Sequence, residues 1–231
     1  MKEKGDHVKN DRKILTDFWE VLNISTDYLR TGTKGAHPSL KVLSDSSDRI
    51  EEEISVCSKC RLCETRTNTV PGAGTLSPEL MIIGEGPGAE EDRTGLPFVG
   101  KAGQYMDKWM DAIKLKRDED LFITNIVKCR PPGNRDPLPD EMEACLPYLE
   151  RQVKLLTPEL ILSVGRIASQ VLTGSSEGIG KLRGSIYSYR GISLIPTYHP
   201  SGVLRNPDEY RKPVWNDLQQ VRDFLNNKHS L

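Results

Sequence analysis

One stretch indicates the fold: Leu80-Met81-Ile82-Ile83-Gly84-Glu85-Gly86-Pro87-Gly88-Ala89-Glu90-Glu91-Asp92. Its first four residues form an apolar run that is typical of a buried parallel strand. The glycines that follow let the main chain turn sharply at the carboxyl end of the strand, where doubly wound sheets bind ligands. We therefore expect Gly84 and Gly86 to approach a bound substrate closely. The carboxylates of this loop suit a developing positive charge or an attacking water better than a resting phosphate.

A glycine-rich turn after a strand is more often a plain connector than an active site, so this motif needs support from elsewhere in the chain. It is not a dinucleotide fingerprint, because Pro87 and the acidic residues break the G-x-G-x-x-G pattern. It is not a phosphate-binding Walker loop either, because no Gly-Lys-Ser/Thr sequence follows it.

Composition places the chain among ordinary globular proteins. It has 231 residues, of which 36% are hydrophobic and 28% charged, and its net charge is −1. This length suits one α/β domain with an appendage, and no apolar run is long enough to span a membrane. The charged start, Met1–Asp6, has no apolar segment behind it, so a secretory signal is not expected. We expect a cytoplasmic monomer.

Residues 1–50 are predicted to form an extension that is separate from a main domain at residues 51–231. Apolar residues recur at helical spacing between Arg12 and Arg30, and Thr31–Ser47 has the polar composition of a linker. The extension is either a dangling, partly ordered segment or an amphipathic helix that docks on a replication or repair partner.

In the main domain, predicted strands alternate with predicted helices, which implies a mostly parallel sheet with helices on both faces. We therefore predict an α/β fold, a single three-layer domain with a four-stranded sheet, plus the helical or disordered N-terminal extension. Pro139 and Pro213 are expected to begin helices. The predicted strands are Leu80–Gly84, Leu121–Val127, Glu159–Val164 and Ile192–Pro196. The predicted helices are Ala102–Ile113, Pro139–Leu156, Arg166–Leu172 and Val214–Asn226.

Three of the five cysteines lie within seven residues, which favours a metal site over the alternative of plain core thiols. Cys57 and Cys60 have a Cys-x-x-Cys spacing that lets two sulfurs reach one metal site, and Cys63 extends this pattern. Cys129 and Cys145 follow much later and flank a proline-rich loop. Because four thiolates hold zinc as well as an iron–sulfur cluster, the spacing predicts a metal site without identifying the metal.

A second polar motif, Tyr198-His199-Pro200-Ser201-Gly202-Val203-Leu204-Arg205, follows the last predicted strand. Its histidine is expected at the ligand-binding end of the sheet, on a loop fixed by proline and glycine. The tripeptide alone is weak evidence, because His37-Pro38-Ser39 repeats it in the linker with no strand before it.

Together these motifs resemble those of the family 4 uracil-DNA glycosylases, the iron–sulfur type. The resemblance runs in order from about Ser55 to the C-terminus and leaves residues 1–50 outside. It is carried by Cys57–Leu62, Gly84–Gly88 with Glu91-Asp92, Thr94–Gly103, Thr124–Pro132, and His199–Ser201 with Leu204-Arg205.

The resemblance implies a monofunctional DNA repair hydrolase that cleaves the N-glycosidic bond of uracil in single- or double-stranded DNA. Such an enzyme leaves an abasic site for base excision repair and works near the nucleoid. The resemblance also implies a structural 4Fe–4S cluster on Cys57, Cys60, Cys129 and Cys145, with Cys63 as a spare thiol. It implies no catalytic metal.

The chemistry of uracil excision suggests roles for the motif residues. A flat base needs an aromatic face, for which Phe98 is the candidate, and the amide of Asn125 can donate to O4 and accept from N3–H. His199 is placed by the resemblance to donate to O2 of the departing uracil. Glu85 is the first choice to stabilise the cationic sugar and hold water, and Glu91 would orient Glu85 or that water. In the plainer interpretation, Phe98 is a core residue and Asn125 caps a turn.

Contacts with DNA are expected from local charge, because the chain as a whole is nearly neutral. Lys128 and Arg130 lie beside the third cysteine, and Ser201 and Arg205 belong to the C-terminal motif. These residues are predicted to bind the DNA backbone. Leu204 is either a wedge that fills the space left by a flipped base or a packed loop residue.

Two other functions stay open at this stage. The protein could bind uracil-containing DNA with little turnover. The related group with that behaviour carries a basic, histidine-containing insertion, however, whereas here Glu91–Pro97 runs straight through. Alternatively, the chain could be a metal-stabilised DNA-binding accessory module of a replication enzyme, which would leave Glu85, Asn125 and His199 unexplained.

Overall fold

The computed structural model describes residues 45–228, so the predicted amphipathic helix and most of the predicted linker lie outside the described part. The first described helix, α1 (Ser47–Ser55), begins where the Ser46 side chain accepts a hydrogen bond from the N–H of Arg49. The boundary predicted at residue 50 falls inside this helix. Ile50 and Ile54 are buried, so α1 is part of the main core.

The other elements follow in chain order, with short 3-10 turns at Arg61–Glu64 and Pro132–Asn134. The strands are β1 (Ala73–Gly74), β2 (Leu80–Gly84), β3 (Leu121–Asn125), β4 (Leu160–Val164), β5 (Tyr187–Tyr189) and β6 (Ile192–Thr197). The helices after α1 are α2 (Ala89–Thr94), α3 (Lys101–Ala112), α4 (Pro139–Leu156), α5 (Arg166–Thr173), α6 (Ile179–Leu182), α7 (Pro200–Arg205) and α8 (Pro207–Lys228).

The strands of the described residues form one mixed sheet in the order β1-β3-β2-β4-β6-β5. Its four central strands are parallel and are the four that the sequence predicts, which confirms the α/β fold. The predicted strand number is wrong, because β1 and β5 add antiparallel edges. These edges are two and three residues long, too short for a periodic pattern to reveal them.

Alternate residues of each central strand enter two different apolar layers, as the pleat of a strand requires. In β2, Leu80 and Ile82 pack with residues of α3 and α8. Met81 and Ile83 pack on the other face with residues of α1, α4 and α5. The main domain therefore has the predicted three layers.

Helix α8 corrects one prediction from the sequence. It begins at Pro207, whereas the predicted helix begins at Val214, and Pro213 lies inside it. Pro207 takes the starting position that suits proline, because a missing N–H removes no hydrogen bond in the first turn.

Within residues 45–228, no helix has both the length and the apolar character needed to cross a membrane.

The parallel centre of the sheet determines where the polar loops meet. Gly84 lies opposite Asn125 in the pairing of β2 with β3, and Val164 lies opposite Thr197 in the pairing of β4 with β6. The carboxyl ends of all four strands therefore lie along one edge of the sheet, and the residues after them surround one place.

Candidate active site

A cavity of about 510 Å³ opens at the carboxyl edge of the sheet. It brings together side chains from loops that are far apart in the sequence, as the predicted active site requires. The predicted residues that line it are Glu85, Gly86, Glu91, Phe98, Asn125, His199, Ser201 and Arg205.

Gly84 leaves room for two of these side chains to lie next to each other. A β-carbon at Gly84 would come within 2.5 Å of the Asn125 Oδ1 atom and 2.6 Å of the Phe98 Cζ atom. The main chain of Phe98 has a φ of 52°, which is strained for a phenylalanine. A β-carbon at Gly103 would lie 1.8 Å from the Phe98 carbonyl oxygen, so α3 packs directly against this bend. The Phe98 ring belongs to the apolar core and also lines the cavity.

Asn125 carries a buried acceptor that has no partner. The residue is 1% exposed, and within residues 45–228 its Oδ1 is the buried side-chain polar atom that lacks a hydrogen bond. Leaving such an acceptor unpaired costs about 1–3 kcal/mol. Because the residue lines the cavity beside Phe98, its acceptor is suited to a donor on a bound ligand.

His199 precedes α7 and is fixed by Ser201. Its Nδ1 atom accepts a hydrogen bond from the main-chain N–H of Ser201 at 3.2 Å and lies 2.7 Å from the Ser201 Oγ atom. Burial, and secondly the charge of Arg205, lowers the pKa of His199 to about 4, so its ring is neutral at pH 7. The ring centroids of His199 and Phe98 are 5.8 Å apart. A neutral N–H donor therefore lies beside the aromatic wall.

Glu85 is a half-buried carboxyl group on the turn after β2. Burial, and secondly the negative charge of Asp136, raises the pKa of Glu85 to about 7, while Arg166 acts in the opposite direction. A carboxyl group with this pKa changes charge near neutral pH, as a general base or acid must. Glu85 is thus suited to the catalytic role predicted for it.

Glu91 links two loops of the site through hydrogen bonds. Its carboxylate accepts hydrogen bonds from the main-chain N–H groups of Gly88 at 3.1 Å, Val99 at 2.9 Å and Gly100 at 2.9 Å. These bonds join the turn after β2 to the loop that carries Phe98. Glu91 therefore positions the aromatic wall, and its direct action on Glu85 or on water stays a prediction.

Three arginine side chains line the cavity. Arg205 is exposed and lines it, as do Arg135 and Arg166. Arg135 makes a two-bond ion pair with Glu141, at 2.6 and 2.8 Å, and Arg166 pairs with Asp136.

Sequence reasoning missed Arg166 and Asp136 as site residues. Arg166 follows the end of β4 almost directly, so the rule that located Glu85 and His199 would also have found it.

Leu204 and Arg130, which are also predicted to contact DNA, do not line the cavity. Leu204 is 46% exposed on α7, which suits a wedge better than a packed loop residue. Arg130 bonds to the Oδ1 atom of Asn134 at 2.8 Å and lies outside the cavity lining. Both assignments stay predictions.

The prediction that Lys128 contacts DNA is wrong. Lys128 is 1% exposed, and its ammonium group donates hydrogen bonds to Thr124, Asn125 and Gln152. Burial lowers the pKa of this ammonium group to about 8. A lysine enclosed on all sides cannot reach a phosphate.

All five cysteines are free thiols and line one small cavity, which Lys128 also lines. Arg66 donates to the Cys129 Sγ atom at 3.3 Å, and the main-chain N–H of Lys128 donates to the Cys145 Sγ atom at 3.3 Å. Such donors stabilise thiolates. The fold thus unites the two distant groups of cysteines. Within residues 45–228, however, no three Cys, His, Asp or Glu side chains form a group that could hold a metal ion.

Comparisons with known proteins agree with this geometry. Residues 71–219, which include the whole cavity lining, match the family model of the uracil DNA glycosylase superfamily. A type-4 uracil-DNA glycosylase from Saccharolobus solfataricus is 44% identical over 193 residues, covering 80% of this chain and 88% of that protein. Another, from Sulfurisphaera tokodaii, is 42% identical and covers 78% of this chain and 85% of that protein. A DNA polymerase of Bacillus phage SP01 is 30% identical over 72% of this chain but only 18% of that protein.

Proposed function

This chain belongs to the uracil DNA glycosylase superfamily, and on that premise we propose that it is a type-4 enzyme that removes uracil from DNA. The reaction is hydrolysis of the N-glycosidic bond. Because no lysine among the described residues lines the cavity to attack the sugar, the product is an abasic site in an uncut strand. The observation that carries the proposal is the unpaired Oδ1 atom of Asn125 beside the Phe98 ring.

Base recognition follows from the chemistry of that amide. Uracil is extruded from the duplex and enters the cavity against Phe98. The Asn125 Oδ1 atom accepts from N3–H, and its amide N–H donates to O4. Cytosine has no proton on N3 and carries an amino group at C4, so both contacts fail. Each buried mismatch costs about 1–3 kcal/mol, which is enough for strong discrimination.

His199 stabilises the leaving group. As the bond to the sugar breaks, negative charge accumulates on uracil O2, where a fixed N–H donor has its largest effect. The neutral imidazole donates without transferring a full proton, as a histidine with a lowered pKa is able to do.

Glu85 acts on the sugar side of the breaking bond. Its carboxylate form stabilises the cationic sugar and orients the attacking water. Glu91 supports this step indirectly, since its three hydrogen bonds hold the loops on either side of the base.

DNA is bound through the arginines that line the cavity. Arg205 has the role predicted for it, and Arg135 and Arg166 line the same cavity. Arg130 extends this surface, Ser201 holds His199, and Leu204 enters the gap in the stack. Such phosphate contacts hold single- or double-stranded DNA without reading sequence, and a monomer suffices for them.

The cysteine site suits a 4Fe–4S cluster with a structural role. Burial raises the pKa of Cys145 to about 11, so a cation is needed to keep it as a thiolate. A four-iron cluster is wider than one ion, so its ligands need not converge on a point. The proposed ligands are Cys57, Cys60, Cys129 and Cys145, with Cys63 left free. This cluster would hold the segment 129–145, which contributes Pro131, Asn134, Arg135 and Asp136 to the wall of the active site.

The N-terminal segment is proposed to contact a replication or repair partner. Its predicted helix at residues 12–30 lies outside the described residues. The likeness to a protein named as a phage DNA polymerase supports a connection with replication. We propose that the enzyme works in the cytoplasm at the nucleoid.

The test of the function uses purified protein and an oligonucleotide with a single uracil. Strand cleavage that requires later alkali treatment, with release of free uracil, is the expected result. The Asn125→Ala/His199→Ala double variant, purified in parallel, excludes a contaminating glycosylase. Tight binding without release of uracil would instead identify a binding protein or an accessory module.

A further inference from the structure

Lys128 connects the base-reading residue to the cysteine site. Its Nζ atom donates to the main-chain oxygen of Asn125 at 2.9 Å, to Thr124 Oγ1 at 2.5 Å and to Gln152 Oε1 at 2.8 Å. Its main-chain N–H donates to the Cys145 Sγ atom at 3.3 Å. One buried residue therefore contacts both functional regions.

The acceptors around this ammonium group are themselves fixed. The Gln152 side-chain amide and the Thr124 hydroxyl both donate to the main-chain oxygen of Pro71, at 2.8 and 2.9 Å. Gln152 is buried on α4, and Thr124 is buried in β3. Such a closed network has little freedom to adjust, so the Lys128 head group is held in one position.

The charge of Lys128 has no carboxylate to balance it. Each of its acceptors is a neutral oxygen, and it takes part in none of the ion pairs of the described residues. A buried charge without a counter-charge is unfavourable. The thiolates of a metal centre at Cys145 would supply the missing negative charge.

We propose that Lys128 is a positioning residue through which the cysteine centre controls base recognition. It holds the main chain of Asn125 so that the Oδ1 atom faces the base, and the thiolates of the centre balance its charge. This inference deepens the proposed function and rests on it.

The test is a double-mutant cycle with Lys128→Met and Asn125→Ala, on proteins matched for metal content. In the wild-type background, Lys128→Met is expected to slow single-turnover excision of uracil by roughly tenfold. In the Asn125→Ala background, the same change is expected to have less than about a twofold effect, because the group that Lys128 positions is gone. Equal losses in both backgrounds, or no loss in either, would overturn the proposal.

Two further variants separate positioning from stability. Leu225→Ala removes a buried side chain from the other apolar layer, so it should lower the melting temperature without the rate loss of Lys128→Met. If Lys128→Met does not fold, Thr124→Val takes its place in the double-mutant cycle. This change removes one acceptor of the Lys128 ammonium group at nearly constant side-chain volume. It should show the same dependence on Asn125, and its failure to do so would count against the proposal.

The reduction potential of the cluster gives a readout besides activity. Removing a nearby positive charge disfavours electron uptake, so Lys128→Met should lower the potential. An unchanged potential would overturn the proposed link to the centre. Wild-type protein that releases no uracil would refute the proposed function itself, whereas an active wild type with an unaffected Lys128→Met variant refutes only this inference.

Discussion

The Nδ1 atom of His199 accepts a hydrogen bond from the main-chain N–H of Ser201, 3.2 Å away. Because Nδ1 is an acceptor, the proton of the neutral ring lies on Nε2. With a pKa of about 4, the ring keeps this form throughout the physiological pH range. The proposed donor for the departing uracil is therefore in place before the reaction begins, which is the condition for large electrostatic stabilisation of a transition state.

Replacing His199 with alanine should slow the chemical step far more than it weakens binding. We expect a loss of roughly 100-fold or more in single-turnover rate, the usual effect of removing one fixed donor. The dissociation constant for uracil-containing DNA should change little. His37→Ala is the matched control, because the same His-Pro-Ser tripeptide occurs there outside the described residues. An unchanged rate with weakened affinity would make His199 a DNA contact.

The pH dependence of excision should report Glu85. Its pKa of about 7 means that the neutral carboxyl dominates below pH 7 and the carboxylate above it. Since the carboxylate is the proposed active form, the single-turnover rate should rise as pH increases through about 7. Glu85→Gln should be slow and independent of pH over this range, since His199 titrates well below it. A Glu85→Gln variant that keeps the rise would assign the pH dependence to another group.

Gly84→Ala should impair excision by displacing Asn125 and Phe98. Its added β-carbon would lie 2.5 Å from the first and 2.6 Å from the second, so at least one must move. Gly178→Ala is the control, because a β-carbon there meets nothing within 4 Å. Rates of the two variants should be compared at equal folded fraction, measured by circular dichroism. Full activity in Gly84→Ala would show that the close packing at this strand end is not needed.

The proposed cluster predicts a coloured protein. Anaerobically purified protein should contain about four irons per chain and absorb near 400 nm, as expected for a Cys-ligated 4Fe–4S centre. Cys129→Ala should lose both properties, whereas Cys63→Ala should keep them. Stoichiometric zinc without iron would contradict the cluster and identify a different thiolate centre.

The sequence predicted the parts of this protein that depend on local pattern. The four buried strands are apolar runs, and the polar loops after them were located by the rule that parallel strands bind ligands at their carboxyl ends. The burial of the Lys128 side chain could not be predicted in this way. A lysine next to a proposed metal ligand suggests a basic surface, and only the three-dimensional fold reveals that Thr124, Asn125 and Gln152 enclose it.

Contacts between loops explain the other differences. The three backbone partners of Glu91 come from two loops, and nothing in the sequence indicates that these loops meet at its carboxylate. The pairing of Asp136 with Arg166 joins residues 30 positions apart. Asp136 raises the pKa of Glu85 and Arg166 lowers it, and both effects depend on the fold that brings these residues together.

The most direct test of base recognition is the Asn125→Asp variant, assayed on paired oligonucleotides that carry unpaired uracil or cytosine at one position. The change replaces the amide donor with an acceptor. A carboxylate can accept from the cytosine amino group, and its protonated form can donate to N3. We predict a large loss of uracil excision and the appearance of weak cytosine excision. Full uracil activity in both Asn125→Asp and Asn125→Ala would contradict the account, because it would show that Asn125 does not read the base.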